Sequence, residues 1–149
     1  MANHVRRQIR EAVVAALTGL TTTGSRVFAS RVYPLEAADL PGLQVFTVSE
    51  SSVVESITNP SALDRTLVLR VEAVARATAD LDDALDGICK EVEIALAMPC
   101  AALAGLAKTI ALGNTDIEFD DGGDQPTGRA VMDYVISYNV MENAPDVAI

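Results

Sequence analysis

The longest alternation of apolar and polar side chains lies in residues 63–76. Leu67, Leu69, Val71, Ala73 and Ala75 fall on one side of an extended chain, and Val68, Arg70, Glu72, Val74 and Arg76 on the other. A period of two marks a strand, because successive side chains leave a pleated backbone on opposite faces. The first set predicts a face packed on a core; the second, with two arginines and a glutamate, is half wet. Residues 43–48 alternate in the same way, and residues 27–33 read as a short strand stopped by Pro34.

Residues 3–18 change the period. Val5, Ile9, Ala12, Val13, Ala16 and Leu17 repeat at helical spacing, with Arg6, Arg7, Arg10 and Glu11 opposite and Asn3 placed to cap. A second helix is predicted from about residue 79 to 97, with Leu81, Leu85, Ile88, Cys89, Val92 and Leu96 as its buried stripe. Thr78 or Asp80 can cap it, Asp82 and Asp83 suit its positive end, and Pro99 follows its stop. Residues 101–107 suggest one or two loose helical turns. Residues 108–119 and 129–140 then read as two antiparallel strands across the loop 120–128. Two stretches lack a sustained pattern. Residues 49–62 predict a long mobile connection or a projecting hairpin tip, and the tail from about 142 predicts a loose end.

Helix, strands, helix and two strands within 149 residues predict one α+β domain over 1–149. The economical packing is a mixed, mainly antiparallel sheet with two main helices on one face. A chain of this length buries roughly 68–70% of its unfolded surface, enough to fold unaided. Half the residues are apolar and only 4% aromatic, so Ala, Val, Leu and Ile must fill the core. A net charge of −10 argues against gripping a phosphate backbone, where cations supply most of the affinity. Cys89 and Cys100, with no CxxC and no neighbouring His, read as free thiols in a reducing compartment. The polar, basic first ten residues show no secretory leader pattern, so a cytosolic origin is expected.

Chemistry is harder to find. The acidic run 116–124 invites calcium, yet counting from Asp116 places Asp121 where an EF-hand needs Gly and Thr127 where it needs Glu. Gly122-Gly123 lacks the lysine and helix of a phosphate loop. The single histidine, His4, has no nucleophile or orienting acid near it in sequence. The pairs Asp82-Asp83 and Asp120-Asp121 are explained by capping and solvation. Tyr134 and Tyr138, four apart on one strand, read as core or rim. No enzyme, cofactor or metal site is expected. A working surface for other proteins is, and Arg6 and Arg7, at a helix start that prefers anions, hint at an acidic partner.

One family fits the order of these pieces. An amphipathic first helix leads through Phe28 to Glu36-Ala37-Ala38-Asp39-Leu40-Pro41 and the strand Gly42-Leu43-Gln44-Val45-Phe46. A polar connection, a long alternating strand over 66–74 and a helix opening at Ala79-Asp80-Leu81-Asp82 follow. An acidic loop then precedes Met132-Asp133-Tyr134-Val135-Ile136-Ser137-Tyr138. Over residues 5–140 this resembles the tail terminators of long-tailed phages, the minor tail protein U type. The motifs are diffuse, and their order and spacing carry the likeness.

The resemblance implies a hexameric ring that caps the tail tube at its head-proximal end, stops its polymerisation and offers a surface to the neck. Its implied partners are further copies of the chain, the tail tube protein and a head–tail connector protein. DNA would pass through the lumen without specific binding, and no membrane is involved. The implied location is the virion tail, with assembly in the host cytoplasm. Residues expected to touch partners are Arg6 and Arg7 on the first helix, Glu50 and Glu55 in the polar connection, Asp120, Asp121 and Asp124 in the acidic loop, and Arg129 behind it. Residues 98–107, more apolar than a simple crossover needs, are a candidate ring contact. The alternative from another class is a small acidic ligand-binding or regulatory α+β domain.

Overall fold

The computed structural model describes residues 2–29, 35–76, 79–120 and 126–149. In chain order these form helix α1 (Val5–Leu17), strands β1 (Val27–Phe28), β2 (Gly42–Val54) and β3 (Ala62–Arg76), helix α2 (Leu81–Ala95), and strands β4 (Thr109–Asp120), β5 (Thr127–Met141) and β6 (Ala144–Ala148). Short 3-10 turns occupy Ala37–Asp39 and Ala101–Leu103. The fold is α+β, with two helices on a mixed, mostly antiparallel, curled sheet. The strands run β1-β2-β3-β5-β4, and β6 adds to β5.

The centre is the β3–β5 ladder, in register from Ala62↔Met141 to Arg76↔Thr127 without a break. Leu67, Leu69, Val71, Ala73 and Ala75 are buried from β3, and Ala130, Met132, Tyr134, Ile136, Tyr138 and Val140 from β5. That is the face the alternation predicts. Both helices lie on it. Val5, Ile9, Val13 and Leu17 line the inner side of α1, and Leu85, Ile88, Cys89 and Val92 that of α2. Each large side chain so covered contributes about 1.5–3 kcal/mol. Gly128 lets α2 sit close, since a Cβ there would lie 2.9 Å from Leu81 and Leu85.

Several expectations change. Residues 49–54 are no open connection: β2 continues to Val54, paired with β3 throughout, so that only residues 55–61 form the tip of a hairpin. A strand exposed on both faces near its end needs no apolar alternation, and the backbone ladder holds it. The tail is not loose, because residues 144–148 form β6 against the end of β5. His4, not Asn3, caps α1, its Nδ1 accepting the Arg6 N–H at 3.1 Å. Asp80 stands at the start of α2, but with a left-handed backbone (φ 55°) and no side-chain capping bond. Thr78 and residues 30–33 of the predicted first strand lie outside the described residues.

A valine at position 128 would force its side chain into Leu81 and the fully buried Leu85. Overpacking of this kind costs about 1–3 kcal/mol. Gly128→Val should therefore lower the urea midpoint by that equivalent with an unchanged slope, read by circular dichroism.

Candidate functional site

A bulge in β2 between Thr47 and Ser49 decides which side chains turn inward. Before it, Leu43 and Val45 face the helices; after it, the helix-facing position passes to Glu50, opposite Leu67. The carboxylate is thereby carried under the start of α1. It is only 7% exposed, with Arg6 Nη1 at 2.8 Å and Arg65 Nη1 at 3.1 Å from its Oε1. The hydroxyl of the buried Tyr138 donates to its other oxygen. Burial, and then this bond, push the Tyr138 phenol up to about 12. His4 completes the group, its Nε2 lying 3.0 Å from Arg65 Nη1.

Four elements thus meet on one carboxylate. Donors outnumber acceptors, and Arg65 Nε is buried with no hydrogen-bond partner among the described residues. Both ring nitrogens of His4 face donors, whereas a neutral imidazole has a single acceptor nitrogen. Protonation would leave none. Burial, followed by the charges of Arg6 and Arg65, accordingly holds the His4 pKa below its usual 6.5.

The residues expected to contact partners separate into different environments. Arg6 and Glu50 come together, but on each other. Arg7 makes an exposed pair with Glu11 at 2.7 Å. Glu55, at the hairpin tip, accepts a hydrogen bond from the buried Asn139. Arg129 lies 3.6 Å from Glu72 on the face of the sheet opposite the helices, where Arg70 grips Asp133 at 2.8 and 3.2 Å. Asp120 ends β4 opposite Thr127, while Asp121 and Asp124 lie outside the described residues. Of the apolar stretch 98–107, Leu103 is buried and Leu106 and Ala107 pack on the core, leaving Met98 exposed.

The surface holds what sequence reasoning passed over. Along the far side of β4, Asp86, Cys89, Lys90, Glu93 and Ile94 of α2 face Thr115 and Ile117 across a groove of about 470 Å³. Ile94 is 68% exposed, Ile117 42% and Phe119 55%. At the opposite side of the sheet, Val53, Val54 and Ile57 of the hairpin stand in solvent. The Cys89 thiol in the groove floor is pushed up to about 11, by burial first and then by Glu93 and Asp86, so it is protonated at neutral pH. Among the described residues, no three of His, Cys, Asp and Glu gather as a metal site, and no helix is long and apolar enough to cross a membrane.

No family model matches the chain, and no curated protein does. Among solved structures it is similar to a chain of one described as "Virion of native gene transfer agent (GTA) particle", at 18% identity, over 90% of this chain and 92% of that one, with a TM-score of 0.42.

Glu50→Ala would strand Arg65 and Tyr138. Its cost should be about 2–3 kcal/mol, below the 3–5 of a fully buried pair because Arg6 reaches water. Arg7→Ala, at an exposed pair, should cost under ~0.5 kcal/mol. Because His4 binds its proton less readily folded than unfolded, its contribution is complete above pH 6.5 and is lost as pH falls from there toward the lowered folded value. His4→Asn, which keeps a capping oxygen, should flatten stability against pH in that window. An unchanged pH profile would show that His4 is not the group titrating.

Proposed function

We propose that the protein is a structural component of a phage virion and acts as a tail terminator. Six copies close into a ring that caps the tail tube, stops its polymerisation and presents a surface to the neck. It is not an enzyme and holds no cofactor. Its partners are further copies, the tube protein and a connector protein, with DNA passing through the lumen unbound.

The observation that carries the reading is the β2–β3 hairpin. Past the bulge at 47/49 its strands stay paired up to Val54↔Leu63, and Glu142 ties its tip by accepting from the Ser61 N–H at 2.8 Å. Yet it ends in Val53, Val54 and Ile57, exposed by 65, 61 and 105%. A rigid corner of the sheet with apolar side chains in water is suited to meet another protein, and the polar connection of the resembling family falls at this place. The acidic excess supports an unbound lumen, since DNA drawn to the wall would be braked. The α2–β4 groove gives the ligand-binding alternative a location. It opens along a strand edge with Ile94 and Ile117 in water, which suits a polypeptide better than a metabolite.

Light scattering on the purified protein, with and without magnesium to screen a charge of −10 per copy, should find a closed hexamer in at least one condition. Replacing residues 55–61 by a two-residue turn should leave the far-UV spectrum unchanged and yield particles with overlong, uncapped tails. A monomer in every condition, together with normal tails from the shortened variant, would refute the proposal.

A further inference from the structure

We propose that copies of this chain join head to tail through their sheets, β4 of one copy pairing antiparallel with the outer half of β2 of the next. Closure of that contact into a ring rests on the reading above; the contact itself rests on the two edges.

One edge of the sheet is covered at one end by β1, and the other edge is β4. On one side β1 covers Leu43 and Gln44 of β2, and among the described residues the stretch from Thr47 to Val54 pairs only with β3. On the other side β6 sits beside Val140 and Met141 of β5, past the end of β4, and among the described residues Thr109 to Phe119 of β4 have no strand partner but β5. The outer half of β2 and the outer half of β4 lie at diagonal corners. Neither carries a lysine or a proline, and the inward Glu50 of β2 is matched within its own chain by Arg6 and Arg65, so it does not blunt the edge.

Their directions are compatible. β2 is antiparallel to β3, β3 to β5 and β5 to β4, so β2 and β4 of one copy run opposite ways. A neighbour carried round an axis keeps its strand sense and its helical face, and brings β2 antiparallel to β4. The diagonal offset is also of a familiar size. Ile117 is level with Ala130, Ala73 and Leu43, whereas Glu50 is level with Leu67, six residues down β3 from Ala73. That is a stagger of roughly 20 Å across the four strands of one copy, which span roughly 19 Å, a tilt of about 46° at the steep limit of the 35–45° of closed barrels.

Side chains favour this partner over a two-fold one. Asp116 and Glu118 alternate along one face of β4, so two β4 strands paired with each other would set like charges opposite. The β2 side offers the opposite sign through Arg10, which reaches Thr47 at 3.3 Å on this edge of α1, while Arg6 is held by Glu50. With the helices of both copies on one face, Arg10 approaches Asp86 and Glu93 on the groove wall. Apolar positions match as well, with Val54 on the helix-side parity of β2 and Ile117 and Phe119 on that of β4. A contact between two different patches of the same chain is heterologous, the kind that generates rings.

Disulfide trapping tests the contact. Ser52→Cys, on the helix-side parity of β2, is combined in one chain with Thr115→Cys, Ile117→Cys or Phe119→Cys on the same parity of β4, and each single variant is kept as a control. After mild oxidation at least one double variant should give a ladder of linked copies on a non-reducing gel, whereas the single variants should remain unlinked. Ile117→Lys should lower the scattering mass to that of a monomer while the melting curve stays within a few degrees of the parent. Oligomers that form but never link in any double variant, and that survive Ile117→Lys, would overturn this interface and leave the ring standing. Linking by a single variant would mean a two-fold contact and overturn it too. A parent protein that never associates would overturn both readings.

Discussion

The unbroken pairing of β3 with β5 is the constraint on which the other parts of the molecule depend. Fifteen residues of each strand face one another without a bulge, which fixes the parity of every side chain along both. One parity supplies the floor on which α1 and α2 are packed. The other places Arg70 against Asp133 and Arg129 against Glu72 on the side without helices. That side is nonetheless partly shielded, with Gln44, Glu72, Val74 and Val131 all buried. Both flanking strands take their register from this ladder, and each brings a bulge with it, at 47/49 in β2 and at 112/114 in β4. The centre is regular and the flanks are adjusted.

The β2 bulge explains much of what the sequence hid. Strict alternation from Leu43 would turn Ser49, Ser51 and Val53 toward the helices. The extra residue at Val48 turns Glu50 inward instead, with the basic start of α1 and Arg65 to receive it. Arg6 and Glu50 were both singled out by sequence, but as partner contacts, since nothing local says that residues 44 apart will meet. Arg65 was legible in principle: it shares parity with Leu67 and Leu69, and a charge on a core face asks for a counter-charge. By contrast α1, α2, the face of β3 and the pairing of the last two long strands were plain, because apolar periodicity is strongest where one face is wholly buried. β6 was not plain. A five-residue strand containing Pro145 has too short a pattern to read, and it exists because the end of β5 offers it an edge.

The placement of charge is as uneven as that of apolar surface. The arginines of α1, β3 and β5 are largely committed inside the molecule, to Glu50, Glu11, Asp133 and Glu72. The acids of α2 and β4, among them Asp82, Asp83, Asp86, Asp116 and Glu118, have Lys90 and Lys108 as the only cations of their own and the adjoining segment. Intramolecular pairing therefore leaves the net −10 concentrated toward one side of the domain. Such a molecule has an electrostatic head and tail even though its overall charge has one sign, and the field between unlike sides orients an encounter.

Apolar edges and repulsive net charge together make association conditional. The exposed valines and isoleucines gain from burial at any ionic strength, about 25 cal/mol for each Å² covered, whereas repulsion between copies weakens over a Debye length of about 10 Å at 0.1 M salt. On the proposed edge contact, free copies in dilute salt would be held apart by the same acids that flank the groove until they are brought close. A template that fixes several copies side by side removes the entropic cost of bringing them together, and the edge contacts then outweigh the residual repulsion. In the terminating ring proposed above this ordering would matter, since subunits that pair too readily in solution would be used up before a tube end presented itself. The long open strand of β4, which in a permanent monomer would invite aggregation, is tolerable when acidic side chains keep it apart until a neighbour is already in place.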